Sequence, residues 1–73
     1  MTLYEFNSLS TDEQYTFLWQ EGVYLETVVI KDIKLNLYAI NKFFVEVHYN
    51  AVTNKLVELK SFKYGNLMDK YIN

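Results

Sequence analysis

Apolar residues recur along this chain with two different periods, and the period changes at Gly22. Upstream of it, Tyr15, Leu18 and Trp19 stand three and four apart, the spacing of one buried helical face. Ser10-Thr11-Asp12-Glu13 supplies a start for that helix. The serine hydroxyl can accept from the amide near Glu13 while the glutamate reaches back, and the acidic pair sits at the positive end of the helix dipole. The pattern predicts a helix from Thr11 to about Glu21, with Leu9 as a staple at its start and Gly22 as a left-handed terminator. Thr2-Leu3-Tyr4-Glu5 has the same capping spacing and predicts a short helical turn through about Ser8. Trp19, on the core side of the only substantial helix, is expected to be its largest core residue.

Downstream of Gly22 the period is two. Strands are predicted at Val23 to Ile30, Ile33 to Ala39, Phe43 to Asn50 and Leu56 to Lys63, joined by connections too short for parallel crossovers. Together with the helix they give an α+β fold: an N-terminal helix packed on a four-stranded antiparallel β-meander. Phe43-Phe44-Val45-Glu46-Val47-His48-Tyr49 and the turn after it anchor the pattern. A three-residue loop, Val52-Thr53-Asn54, with Asn54 left-handed, sets Ala51 opposite Lys55, Tyr49 opposite Val57 and Val47 opposite Leu59. A loop one residue longer would set Val57 opposite His48 and turn the last strand over.

The same test favours three-residue connections at Ile30-Lys31-Asp32 and Ile40-Asn41-Lys42 over two-residue turns. The inner rows are then Leu25, Leu37, Val45, Ser61; Thr27, Leu35, Val47, Leu59; and Val29, Ile33, Tyr49, Val57. The outer face carries Glu26, Asn36, Glu46, Lys60 and Val28, Lys34, His48, Glu58, and beside them an aromatic band of Tyr24, Tyr38, Phe44 and Phe62. Beyond Gly65, Asn66 caps a short helical segment in which Leu67, Met68, Tyr71 and Ile72 share a side and could fold over that band.

Composition narrows the function more than it defines it. The chain has 73 residues, enough for one domain (1–73) with a modest core. It has no cysteine and one histidine, so disulfide and metal staples give way to oligomerisation as the expected support. A hydrophobic fraction of 51% and an aromatic fraction of 18% leave more large apolar groups than so small an interior can hold. The net charge is −2 and every basic residue is a lysine, so nucleic acid is an unfavoured partner. No stretch approaches the roughly 18 apolar residues of a membrane span. The N-terminus lacks a basic segment followed by an apolar run, so a cytoplasmic location is expected. Richness in Lys, Asn, Tyr and Ile without proline or arginine suggests an AT-rich coding sequence and a bacterial or phage origin.

Candidate chemistry is sparse. His48 beside Glu46 and Glu58 has the residue types of a general base, but the alternation makes all three members of solvated cross-strand pairs, His48 between Lys34 and Glu58, Glu46 between Asn36 and Lys60. There is no glycine-rich loop, nucleophile elbow or metal-ligand spacing, so neither an enzyme nor a cofactor or metal site is expected. The acidic cluster Asp12, Glu13 and Glu21 follows from the helix dipole. The band Tyr24, Tyr38, Phe44, Phe62 is the feature that points outward. It predicts a non-catalytic protein-interaction module, in its simplest form a homodimer, because contiguous exposed rings mark association. The alternative use of the same band is stacking of single-stranded nucleic-acid bases.

Overall fold

A computed structural model describes residues 1–63 in the element order α1 (Leu3–Asn7), α2 (Thr11–Glu21), β1 (Val23–Ile30), β2 (Ile33–Ile40), β3 (Phe43–Asn50) and β4 (Leu56–Phe62). The expected C-terminal helical segment lies outside the described residues. The strands form one antiparallel sheet in the order β1-β2-β3-β4, with β1 and β4 at its edges. The α+β meander is therefore the observed architecture.

Both helices begin as reciprocal capping boxes. The Glu5 amide donates to Thr2 Oγ1 at 3.1 Å and the Thr2 amide to Glu5 Oε1 at 2.8 Å. At α2 the Glu13 amide donates to Ser10 Oγ at 3.2 Å and the Ser10 amide to Glu13 Oε1 at 2.9 Å. Each box satisfies two amides that have no intrahelical partner. The backbone hydrogen bond to the cap residue holds the Glu5 and Glu13 carboxyls below the usual carboxylate range.

Gly22 ends α2, but not in the expected left-handed conformation: its φ of −75° and ψ of 142° are extended. Glycine is needed there for space. A Cβ on Gly22 would lie 2.5 Å from the Leu18 carbonyl oxygen and 2.8 Å from Leu18 Cδ1, so the chain can turn tightly from helix into β1 only without a side chain.

Two of the three hairpins also correct the expected register. Lys31-Asp32 and Asn41-Lys42 are two-residue turns, with Ile30 paired to Ile33 and Ile40 to Phe43. The first residue of each turn takes positive φ, 55° at Lys31 and 52° at Asn41. Across β2 and β3 the pairs are Tyr38↔Val45, Leu37↔Glu46 and Leu35↔His48, one residue away from the expected alignment. That slip turns β2 over relative to β3. On the other side of β2, Tyr24 does face Tyr38, but a bulge at Leu25 shifts the rest, so Glu26 faces Leu37 and Val28 faces Leu35.

The last hairpin keeps the expected register by a different route. Asn50 closes against Lys55, its amide donating to the Lys55 carbonyl at 2.8 Å, and its side chain accepts from the amides of Val52 and Thr53. Asn54 is left-handed at φ 60°, as expected. The loop is one residue longer than the sequence pattern suggested, and a bulge at Val57 absorbs the extra residue, pairing Tyr49 with Leu56 and His48 with Glu58. Val47 then meets Leu59, as expected.

The helices cover one face of this sheet. Phe6, Leu18, Ile40, Phe43, Val45 and Val47 form the buried cluster, with Leu3, Leu9, Tyr15, Phe17, Tyr38, Tyr49 and Leu59 packed around it. Phe6 of α1 joins the layers through its rings, 5.5 Å from Phe43 and 6.4 Å from Phe17 between centroids. α2 is consequently rolled toward Phe17, and Trp19 is 50% exposed instead of lying in the core. The Gln14 amide group donates to the Phe6 carbonyl at 3.0 Å, and the Ser61 hydroxyl donates to Asn7 Oδ1, tying α1 to α2 and to β4.

Candidate interaction surface

The register slip divides the aromatic band between the two faces. Tyr24 and Tyr38 stand on the helix side, their rings 5.8 Å apart, and Tyr38 meets Trp19 edge-on at 5.7 Å. Trp19 in turn stacks on Tyr15 at 6.0 Å. Burial among these rings pushes the Tyr38 hydroxyl above the usual phenol range. Phe44 and Phe62 stand on the opposite face, stacked at 5.8 Å and 28°. No single face of the sheet carries all four rings.

The face carrying Phe44 and Phe62 is largely buried. Leu35 and Leu37 are 3% and 2% exposed, and Phe62 is 7%. Phe44 is half-buried and has further partners within the chain, as does Glu46. The expected solvated pairing of Glu46 is overturned: its row neighbours are Leu37 and Lys60, its exposure is 0%, and its Oε1 lies 2.5 Å from His48 Nε2 on the same strand. A buried carboxylate needs such a partner, because desolvation strongly disfavours an unpaired charge. His48 lies between Leu35 and Glu58, not between Lys34 and Glu58. Its Nδ1 is 3.9 Å from Glu58, which is itself 3.8 Å from Lys60. Among the described residues no group of three or more His, Cys, Asp or Glu side chains could hold a metal ion, and no helix is long and apolar enough to cross a membrane.

Exposed large apolar residues stand at Tyr4, Trp19, Val52, Leu56 and Val57 and are most numerous on β1. Seven of its eight residues are exposed, including Val23, Tyr24 at 54%, Leu25, Val29 at 61% and Ile30. Glu26 is its one charged residue. Among the described residues β1 is an edge strand, with no strand paired to the outer side of its backbone. Two of its polar side chains are engaged within the sheet: the Thr27 hydroxyl donates to Asn36 Oδ1 at 2.7 Å, and the Tyr24 hydroxyl lies 2.5 Å from Thr27 Oγ1. The other edge differs. β4 alternates Glu58 and Lys60 with its apolar residues; each edge has one bulge, at Leu25 in β1 and at Val57 in β4.

Of the residues picked out from sequence, Tyr24 remains on open surface and Tyr38 lies beneath it against Trp19, while Phe44 and Phe62 belong to the buried face. Sequence reasoning missed Val29 and Ile30, although a strand with a single charge at the start of a meander, necessarily an edge, carried the signal. No family model matches the chain, and neither curated proteins nor solved structures include one found similar to it.

Proposed function

We propose that this chain is a small non-catalytic protein-interaction module that associates with a second copy of itself through the open β1 edge. The observation that carries the reading is the exposure of Val23, Tyr24, Leu25, Val29 and Ile30, on either side of Glu26 and Thr27, on a strand whose outer backbone groups have no partner strand among the described residues. Long apolar edges with few charges associate unless something blunts them; β1 has one acidic residue, no proline, and a bulge confined to Leu25 that leaves Glu26 to Ile30 regular. The non-catalytic reading is supported by His48: its Nε2 is held by Glu46 and its Nδ1 lies 3.9 Å from Glu58, so carboxylates of the same sheet face both ring nitrogens. A protein partner suits a surface of negative net charge without arginine better than a nucleic acid does.

Solution mass tests the reading. Light scattering from micromolar to near-millimolar protein should show a monomer–dimer equilibrium, and Val29→Glu should shift it strongly to monomer. That substitution places the new carboxylate opposite Lys34 in the register, so it should leave the circular dichroism spectrum unchanged. A wild-type protein that stays monomeric throughout that range overturns the proposal.

A further inference from the structure

We infer that the two copies pair as antiparallel β1 strands about a two-fold axis through Val28, joining two four-stranded sheets into one; this rests on the self-association proposed above. The backbone polarity of β1 sets the first constraint. A two-residue turn makes its flanking residues a hydrogen-bonded pair, here Ile30 and Ile33, so Ile30 and Val28 direct their amides and carbonyls toward β2. Thr27 and Val29 direct theirs outward, to the open edge.

Symmetry sets the second. A two-fold axis normal to the sheet keeps each side chain on its own face, so one residue of β1 must face its own copy. The regular part of β1, Glu26 to Ile30, offers three central positions. An axis through Val29 would put Glu26 opposite the partner's Asp32, like charges in direct register. An axis through Thr27 would put the bulged Leu25 inside the ladder, opposite the partner's Val29, where the extra residue breaks the pairing. An axis through Val28 avoids both. It pairs Thr27 with the partner's Val29, Glu26 with the partner's Ile30 and Leu25 with the partner's Lys31. No like charges oppose one another, and the outward amides and carbonyls of Thr27 and Val29 exchange hydrogen bonds across the axis.

The second copy fits this edge because β1 complements itself. The half-buried Val28 meets its own copy, and the exposed Val29 and Ile30 are covered along the seam. The ladder is short and buries less than the roughly 800 Å² per partner of a standard interface, so the dimer should depend on concentration.

Disulfide trapping tests the register. The chain has no cysteine, so single-cysteine variants report one contact each. A central non-hydrogen-bonded pair has Cα atoms about 4.5 Å apart, within the range of roughly 4.4–6.8 Å that a disulfide spans. Val28→Cys should be converted largely to a covalent dimer under mild oxidation, while Val57→Cys on β4 should remain monomeric under the same conditions. Val29→Pro removes an outward amide without removing a bond to β2, so its circular dichroism should match wild type while dimer affinity falls by about tenfold or more. If light scattering shows a dimer but Val28→Cys does not cross-link, or cross-links no better than Val57→Cys, the register is overturned while self-association stands. Unchanged dimer affinity in a folded Val29→Pro protein overturns β1 pairing. A protein that is monomeric throughout overturns both.

Discussion

The two faces of the sheet are built on different terms. On the helix side, Phe6, Leu18, Ile40, Phe43, Val45 and Val47 make an apolar cluster with its polar groups at the margin. On the far side, Leu35, Leu37 and Phe62 are also buried, but they surround a carboxylate, Glu46, whose burial is tolerated because His48 bonds to it from the same strand. The comparison teaches that alternation along a strand does not say which side is the core when both sides hold apolar residues. β3 sends Val45 and Val47 one way and β2 sends Leu35 and Leu37 the other, and the two strands are adjacent.

The sharpest way to break that comparison is to cut matched leucines from the two faces. Leu18→Ala and Leu37→Ala should each lower the unfolding free energy by about 2–5 kcal/mol, measured by urea denaturation, because both side chains are fully enclosed. If Leu37→Ala costs less than about 1 kcal/mol while Leu18→Ala costs several, the far face is not a second core. Phe44→Glu, at a half-buried position, should cost less than either, about 1–1.5 kcal/mol. It breaks the stack on Phe62 and brings a second carboxylate onto the face that buries Glu46. A folded, fully stable Phe44→Glu protein that has lost its dimer would return the docking surface to this face. The smallest effect concerns the turn that fixes the slip. A lysine at φ 55° carries roughly 1–2 kcal/mol of left-handed cost, and glycine gives back roughly 0.5–1 kcal/mol in unfolded-state freedom, so Lys31→Gly should stabilise by about 0.5–1 kcal/mol. Loss of stability there would indicate that the lysine side chain supports the turn.

The helices, the strands and the last hairpin were legible because each carries local chemistry. Ser10 with Glu13, and Thr2 with Glu5, announce helix starts, and Asn54 is a residue that tolerates positive φ. The register of β4 follows the apolar pattern although its loop is one residue longer than that pattern implies, because the bulge at Val57 removes the residue that the longer loop adds. The register of β2 was not legible. Nothing about Lys31-Asp32 advertises a two-residue turn, and apolar alternation argues against one only where β2 and β3 share one apolar face, which they do not. The side of α2 that faces the core was misjudged for a related reason: Leu18 serves either orientation, and the choice between Phe17 and Trp19 was made by Phe6, a residue of a different helix. The split of the aromatic band originates in that β2 register, since Tyr38 and Phe44 share a face only if β2 and β3 align one residue differently.

Trp19 has a practical consequence. It is the chain's one indole, set half in solvent against Tyr38, which in turn touches Tyr24 at the head of β1. Its emission is therefore an intrinsic optical probe of that strand, able to register occupancy without any attached dye.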